Sequence, residues 1–323
     1  MRARTRYPTI YRRLADPDVL RKLSVRDTPR WLRAIAFEWL LIASVIAVCA
    51  SSAEWAVWIA GGIAIGTRQH ALSILGHEGA HRLISHSRAV NDLLGNWVAL
   101  YPLLITVQGY RSSHISHHWY LETRDDPSKV SVDHHPRDWT FPMSGLHLAG
   151  MLARDLSGLS QASSTALLKY VWQIRDPAIH VGCIAVVQVV LATLITLATG
   201  SYWAYPVLWL FPLFTVVVAC YRVRAVAEHS AFGDATGRYR RAAVDPLKYT
   251  RTTLVRPWLA CVFAPYNVSY HIEHHVYPSV SCFNLKKLHD HIAEHPDYQR
   301  YAHITHGYKG LIAEIQGISA AKP

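Results

Sequence analysis

Charged residues are scarce in this sequence: Asp, Glu, Lys and Arg make up 17% of the 323 residues, whereas hydrophobic residues make up 51%. Because soluble domains carry about a quarter charged residues, this composition disfavours an ordinary soluble protein. Linkers rich in Gly, Ser or Pro and internal repeats are also missing. We therefore expect a single domain over residues 1–323 rather than a repeat or multidomain architecture.

The five cysteines are scattered along the chain, and no two of them form a Cys-x-x-Cys pair. This spacing excludes an iron–sulfur cluster or a rubredoxin-type site built from these residues. Buried, reduced thiols are the simpler interpretation. We expect any electrons that the protein uses to come from another protein.

Long segments of the chain lack charge altogether. Val181–Ala198 and Tyr202–Tyr221 contain no charged residue, Ala34–Ala50 contains one, and the apolar run Trp55–Gly66 begins a helix that continues towards His77. Crossing a bilayer takes about 20 apolar residues, so these segments predict two membrane hairpins, at 34–75 and 180–221. Buried helices of a large soluble protein are the alternative, which uncharged runs of this length disfavour.

Basic residues indicate how the hairpins are oriented. Ten arginines and lysines lie within residues 1–33, and the segments 76–179 and 222–323 contain many more, whereas the short connections within the hairpins contain none. The positive-inside rule therefore places both termini and these three segments in the cytoplasm. We attribute the net charge of +11 to attraction to anionic headgroups or to an acidic electron-transfer protein, not to nucleic acid.

Eight of the 20 histidines fall into three clusters: His77-Glu-Gly-Ala-His81, His114-Ile-Ser-His117-His118 and His271-Ile-Glu-His274-His275. Helix positions i, i+3 and i+4 share one face, so each cluster presents its imidazoles together. A zinc site closes with four ligands, and eight histidines suit two metal ions, for which iron is a good candidate. We predict an all-α integral membrane protein with four transmembrane helices in two hairpins, capped by a cytoplasmic helical domain that carries these clusters.

Further residues near the clusters are candidates for the site. His229 follows the last apolar run at a depth similar to His77, and we expect it to be an additional ligand. His70 lies two turns before His77 on the same helix face. Asp125 and Asp126 either orient ligand histidines or merely form a turn. The remaining histidines show no such register, and we interpret them as surface groups; they include His180, His289 and His303.

His77, Glu78 and His81 also match the His-Glu-x-x-His pattern of zinc metalloproteases. Such a site uses two histidines, a third ligand and the glutamate as base, which leaves the other two clusters without a role. Gly79 inside the motif is also a poor helix former. An intramembrane metalloprotease is therefore the remote alternative.

In combination, these motifs resemble the membrane fatty acid desaturase superfamily, whose pattern is three histidine boxes around two membrane hairpins. The likeness covers about residues 60–290 and includes Glu228-His229. Asn267, four residues before His271, is similar to the acyl-lipid branch, although Ser281 stands where that branch often has proline.

The resemblance implies two iron ions that activate O₂ with two external electrons and oxidise an unactivated pair of C–H bonds in a fatty acyl or lipid-like substrate. Desaturation is the favoured outcome, and hydroxylation on the same scaffold is the alternative. The implied electron donor is ferredoxin or cytochrome b5. The implied ligands are His77, His81, His114, His117, His118, His229, His271, His274 and His275. Water-mediated or supporting roles fall to Asn267, His70, Glu78, Asp125, Asp126 and Glu273.

Overall fold

The computed structural model describes residues 13–123, 125–128, 136–160, 174, 176–229 and 245–318. These residues are mostly helical. The α-helices are α1 Pro17–Leu23, α2 Thr28–Ala50, α3 Trp55–Ala80, α4 Arg88–Leu94, α5 Val107–Tyr120, α6 Gly145–Leu156, α7 Pro177–Thr199, α8 Phe211–Phe214, α9 Val216–Glu228, α10 Pro246–Tyr249, α11 Pro257–Phe263, α12 His271–Val276, α13 Leu285–Ile292, α14 Pro296–Tyr301 and α15 Gly307–Ile315. Two strands, β1 Arg251–Leu254 and β2 His303–His306, and short π or 3₁₀ segments complete the described elements; the latter are Gly95–Leu100, Tyr101–Leu103, Pro136–Trp139, Pro206–Leu210, Pro265–Asn267 and Cys282–Asn284.

Packing divides the chain into two compact units. Unit 1 contains the described residues of 1–25, 113–151 and 223–323, and unit 2 contains those of 26–112 and 152–222. The second and third histidine clusters and His229 therefore belong to unit 1, whereas the first cluster belongs to unit 2. The prediction of a single domain stays a prediction.

In unit 2, helices α2 and α3 form an antiparallel pair joined by residues 51–54. α2 begins after Asp27, whose side chain accepts a hydrogen bond from a backbone N–H of the first turn. The pair is held by an ion pair between Arg68 and the buried Glu38, with 3.2 Å between nitrogen and oxygen. A charge in an apolar helix needs such a partner, which explains the one acidic residue in the first apolar run.

Three described helices are long and apolar enough to cross a membrane: Thr28–Ala50, Pro177–Thr199 and Pro206–Glu228. A fourth is reached if the bent pair Arg88–Leu103 and Val107–Tyr120 counts as one span. The predicted span within α3 is not among the three, because polar side chains follow from Arg68 onwards. The chain is thus a membrane protein, and the four-span topology stays a prediction.

The bent pair is interrupted at residues 104–106, after Tyr101–Leu103, where the regular α-helical hydrogen bonding breaks. In unit 2, the Gln188 side-chain amide donates to the Tyr101 carbonyl at 2.8 Å, and the Trp209 indole N–H donates to the Pro102 carbonyl at 3.1 Å. Non-helical backbone is tolerated at membrane depth only where protein groups satisfy it. These side chains therefore allow the chain to bend inside unit 2.

Unit 1 contains a two-stranded parallel sheet in which Arg251 of β1 lies opposite His303 of β2. This sheet corrects the all-α prediction to a mostly helical fold. Each strand has only four residues and carries buried polar side chains, so the sequence shows no apolar alternation there. His303 is buried, with its Nε2 3.0 Å from Glu314, so its interpretation as a surface group was wrong.

Candidate metal centre

Four predicted ligands of unit 1 converge on one point: His117, His229, His271 and His275. One ring nitrogen of each lies within 4.8 Å of all the others. The Nε2 of His271 is 3.2 Å from the Nε2 of His229 and 3.0 Å from that of His275. Two nitrogens that bind one metal ion at about 2.1 Å are about 3.0 Å apart at a right angle and about 3.4 Å apart at a tetrahedral angle. The two distances from His271 fit a shared metal ion.

The protonation of this set also fits metal binding. Burial lowers the pKa of His271 and of His275 well below the ordinary 6.5, and the neighbouring histidines lower it further. Because two Nε2 atoms face each other at 3.0 Å, at most one of them can carry a hydrogen. Neutral imidazoles with available lone pairs are the form that a metal ion requires.

A second set of ring nitrogens lies beside the first within unit 1. The Nε2 of His118 is 3.0 Å from the Nε2 of His114 and 3.0 Å from that of His274, which are 3.3 Å apart. The rings of His118 and His275 stack with centroids 4.1 Å apart. The seven predicted ligands of unit 1 thus form two adjacent groups, as a two-metal centre requires.

Helix register explains how two short elements present these side chains. α5 carries the second cluster near its C-terminal end, and α12 consists of the third cluster and Val276 alone. In both helices, positions i, i+3 and i+4 hold the histidines, so one face carries all three rings. The predicted placement of the second and third clusters on helix faces is confirmed.

Strand β1 fixes the position of His229 at the end of α9. His229 forms an isolated β-bridge with Thr250, the residue before β1. The Thr253 hydroxyl donates to the Ala227 carbonyl at 3.0 Å, and the buried Arg251 donates to the Val226 carbonyl at 3.0 Å. These bonds use carbonyls that the end of a helix leaves unsatisfied. They hold His229 at a defined place next to the third cluster.

Glu273 anchors α12 from the opposite side. Its carboxylate is fully buried and accepts a hydrogen bond from the Thr252 hydroxyl at 2.6 Å. The other oxygen accepts from the Tyr298 hydroxyl and lies 2.6 Å from Nδ1 of His289. Glu273 lies between His271 and His274, so this network fixes the rotation of the helix that presents them. Its supporting role was predicted, but its three partners were not.

Asp126 orients one ring of the four-histidine set. Its carboxylate lies 2.8 Å from Nδ1 of His117 and accepts a hydrogen bond from the Ser128 backbone at 2.9 Å. Burial alone would raise the pKa of Asp126, but the hydrogen bonds to His117 and Ser128 lower it to about 2. The carboxylate is both a turn acceptor and a partner of His117, whereas Asp125 is exposed. Asp126 therefore has contacts of both expected kinds, and the role of Asp125 stays a prediction.

Asn267, a predicted supporting residue, and Glu228, which was not predicted to have such a role, also have definite contacts. The Asn267 amide N–H donates to the Cys282 carbonyl at 3.0 Å, so this side chain holds the backbone at Cys282 in place. Glu228 binds Arg224 through both oxygens, at 2.6 and 3.0 Å, and one of these oxygens lies 3.7 Å from Nδ1 of His271. Glu228 thus places a carboxylate oxygen near a ring of the four-histidine set.

The first cluster lies in unit 2, at the C-terminal end of α3. The rings of His77 and His81 have centroids 4.7 Å apart, and the buried Glu78 lies 3.7 Å from Nδ1 of His77. Arg111 donates to the carbonyls of Gly79 and Ala80 at 2.7 and 3.0 Å, which caps the end of the helix.

His70 is buried in the same unit, with its ring edge-on to Tyr221 at 5.5 Å.

A sequence profile described as fatty acid desaturase matches residues 53–307, which is more than half of the chain. The chain belongs to the fatty acid desaturase family. The resemblance inferred from the histidine clusters is therefore confirmed. The family consists of membrane oxidoreductases, which agrees with the apolar helices of unit 2.

Individual desaturases are similar to parts or most of the chain. Probable fatty acid desaturase DES1 of Sorghum bicolor is 35% identical over 80 residues, and dihydrorhizobitoxine desaturase of Bradyrhizobium elkanii is 34% identical over 90 residues. These matches cover 24% and 27% of this chain, and only 20% and 25% of the two relatives. Human sphingolipid delta(4)-desaturase/C4-monooxygenase DES2 is 26% identical over 318 residues, which cover 90% of this chain and 81% of that protein.

Several residues that support the site were missed by sequence reasoning. Thr252, His289 and Tyr298 converge on Glu273 from positions 16 to 25 residues away in the chain. His289 was interpreted as a surface group and is instead half-buried, so that interpretation was wrong. No local motif signals such partners. The position of Glu273 inside a histidine cluster was the one indication of such partners, because a buried carboxylate needs hydrogen-bond donors.

We expect the metal-free protein to lose stability as the pH falls below 6.5. His271 and His275 stay neutral in the fold, whereas in the unfolded chain they titrate near 6.5. Below that pH the unfolded state binds more protons, so the free energy of unfolding falls by up to about 1.4 kcal/mol per pH unit for each group. Above it, these two groups contribute no pH dependence.

Thermal unfolding in the presence of a chelator, followed across pH 6.5, measures this effect. His306→Ala, which removes an exposed histidine, is the control and should not change the profile. A melting temperature that stays constant through this range would contradict the expectation.

Proposed function

We propose that the chain is an O₂-dependent di-iron desaturase of a fatty acyl or lipid-like substrate. The observation that carries the proposal is the convergence of four histidine nitrogens of unit 1 within 4.8 Å, in a chain of the fatty acid desaturase family. Imidazole donors also suit zinc, copper and nickel, so the donor set indicates a transition metal and the family favours iron.

We assign one iron to His117, His229, His271 and His275. A second iron is assigned to the adjacent group of His114, His118 and His274. The two remaining predicted ligands, His77 and His81, belong to unit 2, and their role as ligands stays a prediction from the resemblance. Water-mediated binding through Asn267 is likewise a prediction.

When bound, the iron pair would use O₂ and two external electrons to remove one hydrogen from each of two adjacent carbons, with two protons taken up and two waters released. The residues of the chain prepare the site for this chemistry. Asp126 accepts from Nδ1–H of His117, which leaves the Nε2 lone pair for the metal. Burial of His271 and His275 keeps water from the ligand side of the centre.

We further propose the cellular setting of the reaction. The lysine and arginine distribution supports cytoplasmic termini and a cytoplasmic metal centre. An apolar substrate would then arrive from the bilayer, and a ferredoxin or cytochrome b5 would supply the electrons. The scattered cysteines support an external donor, since they do not form an iron–sulfur motif.

Hydroxylation is the second candidate outcome, favoured by one specific observation. The human relative that matches 90% of this chain is named as both a desaturase and a monooxygenase. The same metal site is therefore compatible with retention of one oxygen atom in the product.

Lipid profiling of a host that expresses the chain tests the proposal. We expect a product two hydrogens lighter than its precursor with the wild type and none with His274→Ala. The matched control, His306→Ala, should retain the product because that histidine is exposed. A product heavier by one oxygen would instead assign hydroxylation, and no new lipid from either protein would contradict a lipid substrate.

A further inference from the structure

The chain makes an excursion between the sheet of unit 1 and the third histidine cluster. Thr252 of β1 forms an isolated bridge with Tyr270, and the Thr253 N–H donates to the Ser269 carbonyl at 3.1 Å. The two ends of residues 254–268 are therefore pinned together, next to His271. We call this segment the 254–268 finger.

The middle of the finger is a short apolar helix that is partly exposed. α11, Pro257–Phe263, has the sequence PWLACVF, and none of its residues is buried. Trp258 is 63% exposed, although tryptophan is normally among the most buried residues on average. Exposure of such an apolar helix to water is unfavourable. We therefore expect the exposed side of α11 to contact an apolar surface or medium.

A neighbouring element of unit 1 extends this face. The ring of Phe263 contacts that of Tyr308 in α15, with centroids 5.5 Å apart. One turn further along α15, Ile312 is exposed and Lys309 is exposed beside it. The exposed surface thus combines apolar side chains with cationic ones rather than with acidic ones.

The charges near the finger favour a lipid headgroup region. From Arg251 to Ile272 the sequence contains no Asp or Glu, and Arg256 is exposed at the N-terminal end of α11. Tryptophan is enriched where a bilayer meets water, and basic side chains beside it attract anionic headgroups. Because unit 2 carries helices able to span a bilayer, the protein is in contact with a bilayer in its native setting.

We infer that the 254–268 finger inserts α11 into the interfacial region of the bilayer, with Trp258 and Phe263 among the acyl chains and Arg256 at the headgroups. Because the finger ends beside His271, this contact ties the lipid surface to the helix that carries the third histidine cluster. The membrane is the partner that composition and charge select, in preference to a second copy or another protein.

A spin label on Cys261, a native residue of α11, tests this inference without a substitution in the finger. Cys261 is exposed, Cys183 is half-buried, and the other cysteines are buried: Cys49, Cys220 and Cys282. The Cys183→Ser protein is labelled in detergent and reconstituted as the full chain into nanodiscs with anionic lipid. Collision of the label with O₂, which partitions into lipid, is compared with collision with a water-soluble nickel chelate.

Two reference positions calibrate the measurement, each in a protein whose Cys183 and Cys261 are replaced by serine. Val190→Cys lies on an exposed position of an apolar spanning helix, and Lys287→Cys lies on an exposed polar surface of unit 1. We expect the ratio of O₂ to nickel collisions at Cys261 to be severalfold above that at Lys287→Cys and to approach that at Val190→Cys. A ratio equal to that at Lys287→Cys would overturn the inference. Low collision with both reagents would also overturn it, since it would indicate a protein partner over the finger.

Discussion

Replacing His229 with alanine is expected to lower product formation by at least about 100-fold, because even outer partners of metal ligands cost 10- to 100-fold when they are removed. His229 lies outside the three histidine boxes, yet its Nε2 is 3.2 Å from that of His271. Removing it leaves the four-histidine set with three nitrogens. Iron content should fall along with activity, while the fold is retained.

Product formation and bound iron per chain measure this effect in the purified protein. His306→Ala is the matched control, since it also removes one histidine of unit 1, at an exposed position. Full activity and full iron content in His229→Ala would exclude His229 as a ligand. Only the histidines of the three clusters would then remain as candidate ligands.

Replacing Glu273 with leucine is expected to destabilise the protein by at least about 3 kcal/mol, because each buried donor left without an acceptor costs about 1–3 kcal/mol. The change leaves the Thr252 and Tyr298 hydroxyls without the acceptor that Glu273 provides, and it removes the carboxylate next to His289. Because Glu273 lies within the third cluster, the iron-binding affinity should fall as well.

Glu273→Gln separates these two effects. The amide retains one acceptor oxygen and the original volume, so most of the stability should return. Unfolding of the metal-free protein and a chelator titration of the iron measure stability and affinity independently. Glu294→Leu, at an exposed site of unit 1, is the control and should change stability by less than about 0.5 kcal/mol. Equal stability of Glu273→Leu and wild type would contradict the anchoring role.

The candidate metal site was largely predictable because its signal is local. Three histidines at positions i, i+3 and i+4 of a helix lie on one face, and the second copy of the pattern gives a second helix face of the same kind. His229 was predictable for a different reason, since the end of an apolar run marks its depth in the membrane. Within unit 1, both inferences match the positions that the structure gives.

What the sequence did not predict depends on contacts between distant residues. β1 and β2 are separated by 48 intervening residues, and they carry polar threonines rather than the alternation of apolar and polar residues that is typical of strands. The helical break near Pro102 depends on Gln188 and Trp209, which belong to other helices.

The metal content of the purified protein tests the central claim most directly. Elemental analysis with Mössbauer spectroscopy should find about two iron ions per chain in a coupled pair, as a two-metal site requires. His77 and His81 supply the zinc-protease alternative, which predicts one zinc ion and a proteolytic activity that is lost in Glu78→Ala. Stoichiometric zinc without iron would contradict the di-iron centre.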